Sequence, residues 1–143
     1  MICLKEIKLD DFRECFLLDY ETLKFWNIEQ WKDEISKKTT FAFGIVKGLD
    51  LVGVCVYQKI ICEAELIYLS IHPNHRRVGL GKTLISNLVS ICIKDDLHRI
   101  ILEVSVNNKV ANKFYEDCGF KTFGSRKKYY RDGSDAILKE KKL

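Results

Sequence analysis

The segment Arg76-Arg77-Val78-Gly79-Leu80-Gly81-Lys82 gathers three cations and two glycines in seven residues. Glycine lets the main chain turn tightly and come close to a ligand. Amides at the start of a helix carry partial positive charge and point at one spot. With the three side-chain cations, such a segment suits a pyrophosphate. Three phosphate-binding patterns compete for it. GxxxxGK[ST] finds its end in Gly81-Lys82-Thr83, but its first glycine would fall on Arg76. GxGxxG finds Gly79 and Gly81 but meets Leu84 in place of the third glycine. The pattern [RQ]xxGx[GA] is met in full by Arg76, Gly79 and Gly81. The plain alternative is a glycine-rich helix start with solvated arginines.

Other polar residues have two readings each. Glu103 follows the apolar run Ile100–Leu102, where a carboxylate can take up a proton or join a cross-strand ion pair. Tyr115 shares a helical stripe with Ala111, Phe114 and Cys118, which fits core packing, though a tyrosine can pack its ring and aim its hydroxyl into a cleft. Tyr129 and Tyr130, within the basic-aromatic stretch Arg126–Arg131, fit a groove lining and sheet packing equally. His72, His75 and His98 follow no ligand spacing, and the six cysteines form no CxxC, so no metal site is expected. Most of these cysteines sit in apolar stretches and read as reduced, buried thiols.

The elements that must position these residues alternate in type. Residues 2–8 read as an imperfect strand. Asp10 is a candidate cap for a helix carrying Phe12, Cys15 and Phe16, and a second short helix carries Ile28, Trp31 and Ile35. Strands are predicted over Phe41–Val46, Leu51–Ile60 and Glu65–Ile71, with a turn at residues 47–50. The glycine-rich loop then opens a helix over Leu80–Lys94. A strand over Arg99–Ser105 leads to a helix capped by Asn107 or Asn108 and ended by Gly119. The tail 120–142 reads as a hairpin turning near Asp132-Gly133. The sum is an α/β chain, a mixed sheet with helices on both faces.

The 143 residues amount to a single domain spanning 1–143, large enough to fold without staples. The net charge of +4 allows an anionic ligand without requiring nucleic acid. No apolar run reaches the ~20 residues that cross a bilayer, and no signal-peptide pattern opens the chain, so a cytoplasmic location and no membrane partner are expected.

The hexapeptide Arg76–Gly81 resembles motif A of the GNAT acetyltransferases. The stretch ELIYLSIHPNHRRVGLGK, residues 65–82, is similar to that family's strand–loop–helix, and LEVSVNNKVANKFYEDCGF, residues 102–120, to its following strand and helix. Glu103-Val104 followed by Asn108, Ala111 and Tyr115-Glu116-x-x-Gly119-Phe120 resembles the RimI-type, ribosomal-protein-alanine N-acetyltransferase branch. The tail from Arg126 to Ile137 does so too, and Phe25-Trp26 is a fainter echo. Ser105, where that branch often carries a basic residue, and the charged Lys139-Glu140-Lys141-Lys142 end depart from the pattern.

This resemblance implies the GNAT fold, with about seven mostly antiparallel strands and about four helices. It implies acetyl-CoA as cosubstrate, held by Arg76, Arg77, Val78, Gly79, Leu80, Gly81 and Lys82, by main-chain amides at Leu69, Ser70 and Ile71 where the sheet splays, and by Asn108. It also implies direct acetyl transfer to a protein N-terminal amine, such as that of a ribosomal protein, with Glu103 as base and Tyr115 as acid. Glu65 is a reserve base. Tyr129 and Tyr130 would bind the acceptor. A GNAT enzyme for a small amine or a lysine side chain is the first rival, and a non-catalytic RNA-binding module the second.

Overall fold

The computed structural model describes residues 1–143. Strands β1 (Ile2–Glu6), β2 (Thr40–Lys47), β3 (Asp50–Ile60), β4 (Glu63–Ile71), β5 (Arg99–Ser105), β6 (Lys121–Arg126) and β7 (Ala136–Lys142) form one sheet in the order β1-β2-β3-β4-β5-β7-β6. Helices α1 (Phe12–Tyr20), α2 (Ile28–Ser36), α3 (Leu80–Lys94) and α4 (Lys109–Asp117) cover it. All neighbours are antiparallel except β4 and β5, the two strands joined through α3. That crossover is long enough to return the chain in the same direction. No helix is long and apolar enough to cross a membrane.

Two cores lie on opposite faces. Leu84, Ile85, Leu88 and Cys92 of α3 pack with Ile100, Leu102 and Val104 of β5, and α4 adds Ala111, Phe114, Tyr115 and Cys118. On the other face Cys15 and Leu18 of α1 and Trp31 of α2 pack on Val54, Val56 and Tyr68. Strand alternation explains the division along β5: Ile100, Leu102 and Val104 face α3, which turns Ile101, Glu103 and Ser105 to the α1–α2 side. An irregularity opposite Val56/Tyr57 changes the facing along β4, so Ala64 and Leu66 point to the α3 core whereas Tyr68 joins the α1–α2 core.

The helix over 80–94 and the strand over 99–105 coincide with their sequence expectations. The first helix does not start as expected. Residues 9–11 form a 3-10 turn, and Asp10 caps nothing. Asp11 stands at the N-terminus of α1 but makes no side-chain capping bond to it; its carboxylate reaches back instead, accepting the Lys8 amide at 2.8 Å and the Lys5 ammonium at 3.0 Å. The cysteines divide more evenly than expected: Cys15, Cys55 and Cys92 are buried, Cys118 is half-buried, and Cys3 and Cys62 are exposed, all as free thiols.

Candidate active site

The glycine-rich loop is a cradle of free amides. Arg77 and Gly79 both adopt left-handed backbone, with φ of 66° and 84°, and Gly79 stands at the N-terminus of α3. The first helical amide to find a carbonyl is that of Thr83, which donates to Gly79 O at 3.1 Å. The amides from Arg77 to Lys82 find none, so six consecutive donors stand at the positive end of a fifteen-residue helix. Such an array, with left-handed residues folding the chain around it, matches the oxygens of a pyrophosphate.

The two glycines do different jobs. Gly79 supplies the left-handed turn. At Gly81 a Cβ would sit 3.0 Å from Phe114 Cε1, so this glycine is what lets α4 close against the start of α3. Nor do the three cations act alike. Arg76 Nε donates to Ile71 O at 2.9 Å and so ties the loop to the end of β4. Arg77 and Lys82 are exposed and lie at the cradle itself.

Beside the cradle the sheet opens. β4 and β5 pair only from Glu63 to Glu65 against Arg99 to Ile101, and beyond that they part. On its other side β4 stays in register with β3, Leu69, Ser70 and Ile71 lying opposite Cys55, Val54 and Gly53. The His72 amide donates to Val52 O at 2.8 Å. Alternation from that bond turns the Ser70 amide toward β3 and the Leu69 and Ile71 amides toward the opening. Ser70 is engaged elsewhere, its hydroxyl donating to Tyr68 Oη at 2.7 Å within the α1–α2 core.

Glu103 and Tyr115 lie on opposite faces of the sheet, Glu103 on β5 just past its last pair with β4 and Tyr115 against the α3–α4 core. Tyr115 packs edge-on against Phe114 and Phe120, with ring centroids 5.2 and 5.6 Å away. Burial pushes its phenol well above the ordinary tyrosine range, reinforced by the nearby Cys55 and Cys118 thiols, so it holds its proton firmly. No polar side-chain atom of the chain is both sealed from solvent and unpartnered. Asn108 caps α4, its Oδ1 accepting the Ala111 amide at 3.1 Å.

Glu103 stands on the α1–α2 side with a quarter of its side chain exposed, 3.6 Å from Arg126 Nη2. Tyr129 faces the same carboxylate. Its phenol is held above the usual range by its contact with Glu103 and by that group's charge. Tyr130 is pushed up by burial and then by Glu103. Glu65, one strand over, has its pKa raised by burial and by the charge of Glu103, against an opposing pull from Arg126. The structure thus brings together Glu103, Glu65, Tyr129 and Tyr130, which the sequence offered one by one, and adds Arg126, visible there only as one member of a basic run.

Sequence reasoning missed Asp19 altogether. This carboxylate is fully buried and gathers donors from across the α1–α2 side. The Phe25 amide donates at 3.0 Å, the Trp26 amide and Trp31 Nε1 at 2.9 Å, and Tyr68 Oη at 3.0 Å. Asp19 thereby fixes the connection between α1 and α2 against β4 next to the opening. A lone Asp ahead of Phe25-Trp26 gave no pattern that pointed to this.

The family model for the acetyltransferase (GNAT) family matches residues 5–120, and the chain belongs to that family. GNAT acetyltransferases use acetyl-CoA. Among individual relatives, the [ribosomal protein bS18]-alanine N-acetyltransferase of Escherichia coli strain K12 is 30% identical over 99 residues, covering 67% of each chain. A protein of Bacillus subtilis strain 168, provisionally given the same name, is 27% identical over 138 residues, covering 94% of this chain and 91% of its own. In fold, the crystal structure of the ribosomal-protein-S18-alanine N-acetyltransferase from Escherichia coli superposes with a TM-score of 0.92 at 23% identity over all of this chain and 94% of that one. The PaiA N-acetyltransferase of Thermoplasma acidophilum, solved with coenzyme A, superposes at 0.80 and 23% identity over 100% of this chain and 99% of its own.

Proposed function

We propose that this acetyltransferase acetylates the α-amine of a protein N-terminus, of the ribosomal-protein-alanine type, in a ternary complex with acetyl-CoA. What supports the reading is that Glu103, on β5 just past its last pair with β4, and Tyr115 of α4 lie on opposite faces of the sheet that parts there. The amides of Arg77–Lys82 would hold the pyrophosphate, and those of Leu69 and Ile71 the carbonyl and pantetheine arm. Acetyl-CoA supplies an activated thioester. Free amides aimed at the oxygen of that carbonyl stabilise it as it gains negative charge.

An α-amine has a pKa of about 7.7–8.0, so at neutral pH a single carboxylate suffices to remove its extra proton. Glu103 lies where the sheet gives way to solvent and can pass that proton to water. Tyr115 keeps its proton through the neutral range and has it ready for the leaving thiolate. A lysine acceptor, with a pKa of about 10.4, would ask more of the base. Tyr129 and Tyr130 stand beside Glu103 and offer aromatic surface to the acceptor's first residues.

The test offers the purified protein acetyl-CoA and two peptides, one with a free N-terminal alanine and one with that end blocked and an internal lysine. Mass spectrometry should find the acetyl group on the first only. Equal labelling of both would overturn the α-amine reading in favour of a broader amine acetyltransferase.

A further inference from the structure

The base of the proposed reaction already has a cation beside it. Arg126 leaves the end of β6 with Nη2 3.6 Å from Glu103 Oε1, and its guanidinium lies over the Tyr129 ring, 5.5 Å from the centroid. Tyr129 in turn stands edge-on to Tyr130, 5.1 Å away. All three belong to the segment that leaves β6 toward β7. That connection is folded rather than loose: the Lys128 amide donates to Asp135 Oδ1 at 2.9 Å, the Tyr130 amide to Ser134 O at 3.2 Å, and the Gly133 amide to Tyr130 O at 2.9 Å. The groups facing Glu103 are Arg126, Tyr129, Tyr130 and, from β4, Glu65.

An acceptor amine arrives as an ammonium and must reach this same carboxylate to lose its proton. We propose that Arg126 is a displaceable stand-in for the acceptor ammonium, a gate that closes Glu103 until a chain N-terminus competes it away. The proposal rests on the α-amine reading above. A guanidinium suits the part because it keeps its proton at any physiological pH, so it can pair with the base without becoming a nucleophile. The Arg126 side chain is half exposed, and an ion pair of that kind is weak enough to yield to a better-placed amine. The gate also keeps the carboxylate paired while no acceptor is bound.

Two variants test this. Removing the cation with Arg126→Gln should lower the KM for the alanine peptide by about two- to fivefold, the range an exposed ion pair can hold, with a smaller change in kcat. An unchanged or raised KM overturns the gate. Arg126→Lys replaces the inert cation with an amine at the same carboxylate. Given acetyl-CoA and no peptide, this variant should acetylate its own Lys at position 126. The N–C bond forms as the thioester C–S bond breaks. The nitrogen gives up two protons, one through Glu103 to water and one that ends on the thiol. Mass mapping should find the acetyl group at that position and lose it in the double variant with Glu103→Gln. A lysine left unmodified there overturns the placement of residue 126 at the acceptor site. Failure of the α-amine reading looks different: wild type would label the lysine peptide as well, while self-acetylation of Arg126→Lys would still report on the gate.

Discussion

The two faces of the sheet are built by different means. On the α3–α4 side the candidate groups are free main-chain amides, set by one helix start and two left-handed residues within a stretch of seven. Side chains matter there chiefly for what they leave out, as at Gly79 and Gly81. On the α1–α2 side the groups are side chains from distant segments: Glu65 and Glu103 from neighbouring strands, Arg126, Tyr129 and Tyr130 from the β6–β7 connection, and the network around Asp19. The α3–α4 core holds seventeen buried residues and the other only eight, so the smaller core leans more on its buried polar centre. A ligand shared by a whole family can be met by backbone, which any sequence with the right turns supplies. An acceptor that differs between enzymes is met by side chains.

The α1–α2 side depends most heavily on its buried carboxylate. Asp19→Ala removes the acceptor of two amides, an indole and a phenol at once, and should destabilise the protein by roughly 3–5 kcal/mol. Thermal melting should show a fall of about 10 °C or more, whereas the acetyl-CoA affinity of the protein still folded at low temperature should stay near that of wild type. A parallel loss of cofactor affinity would mean the two sides are not separately built.

Next in size is chemistry. Glu103→Gln should lower kcat by about 10²-fold and leave acetyl-CoA binding nearly intact. Tyr115→Phe should lower kcat in the same way, with an unaltered melting temperature. If Glu65→Gln lowers the rate more than Glu103→Gln does, the base is on β4.

A smaller effect is expected at the cradle. Gly79→Ala forces a side chain into the left-handed region, at about 1–2 kcal/mol. Steady-state kinetics should show a higher KM for acetyl-CoA with little change for the acceptor, whereas Asp19→Ala leaves the cofactor affinity alone.

The smallest effect is at Glu65. Its pKa is raised in the folded state, so the stability linked to it is full below the unfolded carboxylate value and is lost as pH rises through the folded one. At pH 7 the charged Glu65 therefore weakens the fold. Discounted for solvent screening, Glu65→Gln should raise the melting temperature at pH 7 by roughly 1–3 °C. That gain should fade as pH falls through the ordinary carboxylate range, where the wild-type carboxyl takes up its proton.

What could be read from the chain follows the same division. The cradle was legible because its determinants are contiguous: Arg76, Gly79 and Gly81 keep a fixed spacing ahead of an apolar stripe that repeats with helical period. Even there the reason for Gly81 was hidden, since Phe114 lies over thirty positions away and only α4 packing brings it to 3.0 Å. The charged end of the chain, which departs from the family's apolar strand end, finds its place only in three dimensions. Lys139 is fully buried, donating to Thr122 Oγ1 at 3.2 Å and lying 3.6 Å from Glu116, while Lys141 caps α4 at Cys118 O at 2.9 Å. Glu140 pairs with Arg99 at 3.0 Å.

The sequence by itself determined the elements and the glycine-rich turn that opens α3, because hydrophobic period, glycine placement and helix starts act within a few residues of one another. Tertiary structure alone decided that β7 inserts between β5 and β6, that Asp19 becomes the polar centre of the smaller core, and that Arg126 meets Glu103. Each joins residues more than ten positions apart. Only the packing of the sheet sets those distances, and ion pairs and buried hydrogen bonds exist only once the distances are set.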